Sequence, residues 1–223
     1  MTTRRSVLAS LITTKLIIGV TGVLLFLYLI VHIIGNLMIF LGRETYNGYA
    51  HFLTSNPLII PIEIGLLLVF LIHLVKAIRM TFQNQQARPA KYATKAWAGG
   101  TSQKSLGSTS MILTGLAILI FVPIHVWQFK FRAHYDLGEG LNDLYRIELE
   151  NLSSPITVAL YIGMMVLVGL HLWHGVASSF QSLGLSGARF TPLIRMVGKV
   201  SAVIIAGGFI VIALWVFFAG GRS

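Results

Sequence analysis

The sequence predicts an all-α integral membrane protein, a single domain over 1–223 built from five transmembrane helices. Hydrophobic residues make up 55% of the chain and charged residues only 11%. Five apolar runs are long enough to cross a bilayer, which takes about 18 residues of helix. Only helices and closed barrels satisfy their own backbone hydrogen bonds in hydrocarbon. We place the helices at about 16–41, 58–82, 108–128, 155–180 and 197–219.

The charged residues predict the orientation of the helices, because basic residues favour the cytoplasmic side of a membrane. With the N-terminus in the cytoplasm and the C-terminus outside, all seven acids fall on or towards the outside. These acids are Glu44, Glu63, Asp136, Glu139, Asp143, Glu148 and Glu150. The cytoplasmic side then carries Arg4, Arg5, Lys15, Lys76, Arg79, Arg88, Lys91, Lys95, Lys104, Arg189, Arg195 and Lys199.

The net charge of +10 does not indicate a nucleic-acid partner, because the basic and acidic residues are separated by loop. Two interpretations of the basic side stay open, namely orientation alone and contact with a partner subunit or anionic lipid. The segment 83–105 is basic and poor in apolar residues, which favours ordering against a soluble partner. The N-terminal residues lead into an apolar run too long for a signal peptide and are predicted to form a retained cytoplasmic tail.

The chain has no cysteine, so any bound metal must be held by histidine or oxygen ligands. Histidines inside apolar helices indicate function, because an unsatisfied imidazole in hydrocarbon is costly. His32 lies in the first predicted helix, whose glycines Gly19, Gly22 and Gly35 allow a helix or a flat cofactor to approach. A hydrogen bond to a neighbouring helix explains a single such histidine as well as a ligand role does. His51 and His134 lie in outer loops and are not predicted to be ligands.

The second predicted helix contains Glu63 near its outer start and His73 past its middle, followed by Lys76 and Arg79. The two basic side chains either meet acidic cofactor groups such as haem propionates or extend to the membrane surface. In the third helix His125 follows Pro123, where a kink is expected. The fourth helix carries His171 and His174, with Gly169 and Gly175 as expected clearance for a cofactor. The fifth has no ionisable residue in its apolar run and is predicted to be structural.

Depth in the membrane pairs these histidines, since a six-coordinate haem iron needs two axial nitrogens at one height. At a rise of about 1.5 Å per residue, His32 lies about 14 Å below the outer boundary and His125 is in the same outer half. His73 and His171 are each about 23 Å deep. Two stacked pairs do not suit zinc, which needs three or four convergent ligands. The spacing therefore predicts two b-type haems.

Four segments carry a resemblance to a known family: VHIIGNLMIFLG with YNGYAHFL, EIGLLLVFLIHLVKA, HVWQFKF and HLWHGVASSFQSLG. Together they resemble the single-chain, five-helix, di-haem cytochrome b that anchors succinate:quinone oxidoreductase and fumarate reductase in the membrane. The resemblance implies that His32 and His125 ligate an outer haem and that His73 and His171 ligate an inner one. His174 then occupies the polar position before the family's glycine, close enough to contact the inner haem or a quinone.

The resemblance further implies an electron relay to a membrane quinone, menaquinone more than ubiquinone, in the bacterial cytoplasmic membrane. A flavoprotein subunit and an iron–sulfur subunit are expected on the cytoplasmic side. Glu63 is the expected proton donor for the quinone, as a buried carboxyl of raised pKa, or else an acid that anchors its helix. Asn36 and Gln128 are candidate quinone or haem neighbours, although hydrogen bonds between helices are the favoured explanation for both.

Two alternatives remain at this point. One is the cytochrome b anchor of another quinone-linked complex, such as nitrate reductase, formate dehydrogenase or hydrogenase, which places its histidines on different helices. The other is a non-redox transporter whose histidines relay protons, although a proton relay would favour carboxylates between the histidines.

Overall fold

The computed structural model describes residues 11–86, 106–138, 142–185 and 187–220 of the chain. Within these ranges the structure is helical, and only an isolated bridge joins Asp136 to Asn142. The helices are α1 (Leu11–Leu37), α2 (Arg43–Thr54), α3 (Ile59–Gln86), α4 (Leu106–Val126), α5 (Leu144–Asn151), α6 (Pro155–Ser182) and α7 (Thr191–Ala219). A 3-10 turn, Met38–Leu41, extends α1, and a π turn, Trp127–Phe131, extends α4.

Five of the described helices, α1, α3, α4, α6 and α7, are long and apolar enough to cross a membrane. The predicted all-α class and the five transmembrane helices are therefore confirmed. Two helices begin earlier in the chain than predicted: α1 begins at Leu11 rather than at about 16, and α7 begins at Thr191 rather than at about 197. Pro192 explains the second, because proline is favoured in the first helical turn, where its missing N–H costs no hydrogen bond. The orientation across the membrane stays a prediction.

Several residues used to predict the orientation lie outside the described ranges. They are Arg4, Arg5, Arg88, Lys91, Lys95, Lys104 and Glu139, together with residues 1–10 of the predicted tail and most of the segment 83–105. We call the end of the bundle at which α1 and α4 finish and α3 and α6 begin the outer end, in accordance with the predicted orientation.

Four of the long helices form a square in which neighbours pack and diagonal partners stay apart. The helix α1 packs against α3 and α6, α4 packs against α6, and α3 meets α4 at only a few residues. The helices α1 and α4 are therefore diagonal to each other, as are α3 and α6. The centre of this square is the place where a side chain from one helix can face a side chain from its diagonal partner.

The fifth spanning helix, α7, lies outside the square and packs along α6. Small residues allow the close approach, since a Cβ added to Gly169 would lie 3.1 Å from Ala206 and one added to Gly198 would lie 3.4 Å from Val176. The interpretation of Gly169 as clearance for a cofactor is therefore wrong, because this glycine faces α7. Gly175 does lie near the square, with a Cβ position 3.9 Å from the His171 ring.

Two short helices close the outer end of the bundle, where the sequence predicted only loops. The helix α2 follows Gly42, whose φ of 95° lies in the left-handed region that favours glycine. Asn47 and Gly48, interpreted as a turn signal, lie inside α2, and the Asn47 amide accepts a hydrogen bond from the backbone N–H of Tyr145 at the start of α5. The Asn56–Pro57 turn is present between α2 and α3.

Asp143 joins the two short helices. Its side chain is fully buried, caps the N-terminus of α5, and accepts hydrogen bonds from Arg43 and Asn47 of α2. Burial favours the neutral acid, but these hydrogen bonds together lower the pKa of Asp143 below its ordinary value of 3.8. The ionised side chain therefore stabilises the folded outer end above that pH, and the contribution is lost as the pH falls through the lowered pKa.

We expect Asp143→Asn to destabilise the outer end by about 2 kcal/mol at pH 7, because it weakens hydrogen bonds to a charged acceptor. Hydrogen exchange of α2 and α5, measured on the protein in detergent, checks the expectation. Exchange should be faster throughout both short helices and unchanged in α7. The difference from the parent should shrink as the pH falls below 3.8 and through the lowered pKa of Asp143. Asp136→Asn, in the exposed loop before α5, is the control.

Candidate functional site

The outer pair of predicted ligands, His32 of α1 and His125 of α4, meets in the centre of the helix square. Their ring centroids are 5.9 Å apart and the rings are nearly perpendicular, at 86°. An aromatic ring one turn earlier stacks on each histidine, Tyr28 on His32 at 5.4 Å and Phe121 on His125 at 5.5 Å. The structure thus brings together two histidines that are 93 positions apart in the sequence.

This separation suits one metal ion between the two rings. Metal–nitrogen bonds of imidazole are about 2 Å long, so two rings that ligate one metal from opposite sides have centroids about 6 Å apart. Among the described residues, no group of three or more His, Asp or Glu side chains is placed to share a metal ion. The pair therefore fits the two axial positions of a haem better than a site built from protein ligands alone.

The inner pair, His73 of α3 and His171 of α6, lies on the other diagonal, and the two side chains are within electrostatic range of each other. Each ring is held by a threonine of an adjacent helix. Thr21 Oγ1 of α1 lies 3.0 Å from His73 Nδ1, and Thr114 Oγ1 of α4 lies 3.1 Å from His171 Nδ1.

The threonines determine which ring nitrogen is free. A hydroxyl has one hydrogen, and Thr21 donates it to the carbonyl of Ile17 at 2.7 Å, while Thr114 donates to that of Ser110 at 3.0 Å. Each hydroxyl can therefore only accept from the histidine, so the Nδ1 atoms carry the protons and the Nε2 atoms keep their lone pairs. A neutral imidazole in this tautomer is the form that ligates a metal through Nε2.

His125 is held in the same way by a different group. Its Nδ1 lies 3.4 Å from the Tyr161 hydroxyl, which donates its own hydrogen to Gln128 Oε1 at 2.6 Å. His32 differs, because its Nδ1 faces the Asn36 side-chain amide at 3.4 Å. The same amide donates to the His32 backbone carbonyl at 2.8 Å, and its oxygen lies 3.5 Å from the Tyr46 hydroxyl.

Glycines leave room beside the inner rings. A Cβ at Gly22 would lie 3.4 Å from His73 Cε1 and only 2.6 Å from Ser179 Oγ of α6. A Cβ at Gly115 would lie 3.5 Å from His171 Cε1, with no contact within 4 Å except to that ring. These two glycines therefore keep larger side chains away from the Cε1 edge of both imidazole rings.

The predicted neighbours of the site have separate outcomes. Asn36 and Gln128 contact the outer pair, directly and through Tyr161 respectively. His174 is half-buried and lies within electrostatic range of His171. Lys76 is half-buried and Arg79 is exposed, one and two turns beyond His73. The roles of these side chains beside a haem or a quinone stay predictions.

The expectation that Glu63 is a buried carboxyl is wrong. Its side chain is 43% exposed and forms an ion pair with Lys130 at the end of α4. Glu63 stays at the surface because it pairs there with the flexible side chain of Lys130, which is 67 positions away in the sequence. A glutamate that is buried at the outer end is Glu148 of α5, which is 7% exposed.

The curated protein "Succinate dehydrogenase cytochrome b558 subunit" of Bacillus subtilis (strain 168) is 26% identical to this chain over 194 residues. The alignment covers 86% of this chain and 88% of that protein. The resemblance predicted from the sequence is confirmed. With its five apolar helices, the chain is an integral membrane protein. No family model matches the chain, and no solved structure matches it either.

Gly22 was expected to let a cofactor approach, but Thr21, Thr114 and Gly115 were not predicted to lie beside the inner histidines, although the sequence contains a signal for them. The pattern Thr-Gly, nine residues, His occurs at Thr21 to His32 in α1 and again at Thr114 to His125 in α4. A second pattern, Ile-Gly, seven residues, His-Leu, occurs at 64–74 in α3 and 162–172 in α6. The chain therefore contains the same arrangement twice. The first copy is α1 and α3 with the short helix α2 between them, and the second is α4 and α6 with the short helix α5 between them.

Proposed function

We propose that this chain is the cytochrome b membrane anchor of a succinate dehydrogenase and that it holds two b haems. His32 and His125 ligate the outer haem, and His73 and His171 ligate the inner one. One observation carries the proposal: Thr21 and Thr114 accept from the Nδ1 atoms of His73 and His171, which leaves both Nε2 atoms free as ligands. A histidine that served only to join helices would not need this tautomer on both sides of the square.

The bound haems supply one-electron chemistry, and the chain determines where it takes place. The threonines and Tyr161 fix the orientation of the imidazoles and raise their basicity as ligands. The stacked rings of Tyr28 and Phe121 exclude water from the outer pair. Because the two pairs lie on the two diagonals at different depths, the sites are stacked along the bundle axis and form an electron path across the membrane.

The name of the relative, a succinate dehydrogenase subunit, supports the proposal that the chain works in a complex with other subunits. A flavoprotein oxidises succinate, and an iron–sulfur protein passes the electrons to the inner haem. Both bind the cytoplasmic side of this chain in a bacterial cytoplasmic membrane, where its basic residues favour an acidic partner surface. The chain itself relays electrons and takes no part in the dicarboxylate chemistry.

The electrons pass to a membrane quinone, menaquinone rather than ubiquinone, near the outer pair. Gln128 and Asn36 are hydrogen-bonding groups at that level, and the Glu63–Lys130 pair lies at the outer end of α3 and α4. Glu63 is proposed to exchange protons with the quinone because it lies at the outer end of the bundle, and not because it is buried. Lys76, Arg79 and His174 lie beyond the inner pair, where haem propionates would need charged or hydrogen-bonding neighbours.

A reduced-minus-oxidised visible spectrum of the purified chain tests the proposal. We expect a b-type band and about two haems per chain, since each histidine pair holds one iron. Absence of the band would contradict the haem proposal and would favour the transporter alternative. A band that persists after both His32→Ala and His73→Ala are introduced together would show that other residues hold the haem.

A further inference from the structure

Glu148 is a buried carboxyl that the proposed electron path does not use. It lies on α5 at the outer end of the bundle and is 7% exposed. Its Oε2 accepts a hydrogen bond from the Tyr46 hydroxyl at 3.2 Å. That hydroxyl lies 3.5 Å from Asn36 Oδ1, and the Asn36 amide nitrogen lies 3.4 Å from His32 Nδ1. A continuous polar contact therefore runs from the carboxylate to the outer pair.

A second group connects Glu148 to the other outer histidine. Tyr161 of α6 lies within electrostatic range of Glu148, and its hydroxyl contacts His125 Nδ1 at 3.4 Å. The bonded path through Tyr46 and Asn36 places the carboxylate on the order of 10 Å from His32. At that distance, a unit charge added at the outer histidine pair changes the proton affinity of the Glu148 carboxylate roughly tenfold.

The cations around Glu148 are engaged elsewhere. On the elements that pack against α5, Arg43 pairs with Asp143 and Lys130 pairs with Glu63. Arg132 donates to Asn151, and Arg146 of α5 itself pairs with Glu150. The half of α7 that reaches the outer end, residues 200–219, has no ionisable side chain. Tyr46 and Tyr161 are thus the titratable groups that face the carboxyl in the described structure.

Without a neighbouring cation, burial raises the pKa of Glu148 to about 7, although the Tyr46 hydrogen bond acts in the opposite direction. The carboxyl therefore changes its charge in the physiological range, which a surface acid does not. A negative charge added at the outer pair would raise its proton affinity further, since like charges repel in a medium of low dielectric constant.

We propose that Glu148 is a redox-linked proton site: it binds one proton from water at the outer surface when the outer histidine pair's haem gains one electron, and releases it when the electron leaves. The inference rests on the proposed function. In the test the electron comes from dithionite, and in the complex it comes from the iron–sulfur partner. One negative charge and one proton arrive together, so the net charge of the outer site does not change.

Redox titration of the haem-loaded full chain, from about pH 5.5 to about pH 8.5, tests the proposal. The midpoint potential of the outer haem should fall as the pH rises through about 7, because reduction then requires proton uptake. With the roughly tenfold change in proton affinity, the potential should fall by about 59 mV in total between the low-pH limit and the high-pH limit. The His171→Ala variant, which retains the outer haem alone, gives this potential without overlap from the inner haem.

Glu148→Gln should make the outer potential independent of pH, at the level that the parent reaches at low pH, because glutamine resembles the protonated acid. Tyr46→Phe should move the pH-dependent range upward, since it removes the hydrogen bond that favours the carboxylate. Glu150→Gln, on the same helix but exposed and paired with Arg146, should keep the dependence of the parent.

The inference is overturned if the outer potential of the parent does not vary with pH, or if Glu148→Gln keeps the parent's slope. If that variant fails to hold haem, the infrared difference spectrum of the parent decides the matter instead. Reduction should then produce a protonated-carboxyl band that shifts in heavy water, and its absence overturns the inference. A protein with no b-type band at all contradicts the proposed function, whereas an outer haem of pH-independent potential contradicts only the role of Glu148.

Discussion

His171→Ala is expected to abolish the inner haem and to leave the outer one, so that the b-type absorbance falls by about half. His171 is fixed by Thr114 with its Nε2 free to ligate the iron. His174 lies one turn closer to the cytoplasmic end, about 4.5 Å along the helix axis, too far to reach the same iron position. Haem content per chain, measured with the visible spectrum in detergent, gives the result.

His174→Ala is the matched control, since it removes the same type of side chain from the same helix. Both haems should be retained, with at most a shift in the potential of the inner one. Loss of the inner haem in His174→Ala, with retention in His171→Ala, would reverse the assignment of the ligand. Loss of both haems in His171→Ala would show that the two sites do not form independently.

The transmembrane part of the fold and the two histidine pairs could be predicted from sequence because they depend on local properties. Length and hydropathy define a spanning helix, and a rise of about 1.5 Å per residue converts position into depth. His32 and His125 were paired on depth alone, and the structure places their rings 5.9 Å apart. The tautomers were not predicted, because they depend on threonines from neighbouring helices.

The outer end was predicted poorly because its structure depends on tertiary contacts. The helix α2 contains Asn47 and Gly48, which are residues typical of turns. The side-chain amide of Asn47 forms its hydrogen bonds with Asp143 and Tyr145, which belong to a distant segment of the chain. Glu148 looked like one more exposed acid, because nothing near it in the sequence indicates burial. Glu63 looked buried because Lys130, which pairs with it, lies on another helix. In each case the deciding partner is far away in the chain.

Gly115→Leu is expected to abolish the inner haem as completely as His171→Ala does, although it leaves both proposed ligands of that haem unchanged. A Cβ at this position lies 3.5 Å from His171 Cε1, an ordinary contact, so Gly115→Ala should retain the haem. The three carbons that leucine has beyond Cβ would have to occupy the space beside the His171 ring. Forcing extra methylenes into packed surroundings typically costs about 1–3 kcal/mol, and here the ring that must move is the one that holds the iron.

Gly65→Leu is the control for added bulk, because a Cβ at Gly65 of α3 meets nothing within 4 Å and the helix is otherwise unchanged. It should keep both haems, as should Gly115→Ala. Full inner-haem content in Gly115→Leu would show that the space beside His171 is not needed for a ligated iron. The outer haem should be unaffected in all three variants, because His125 lies ten residues further along α4, about 15 Å from Gly115. A selective loss would thus connect the repeated Thr-Gly pattern to the binding of the inner haem.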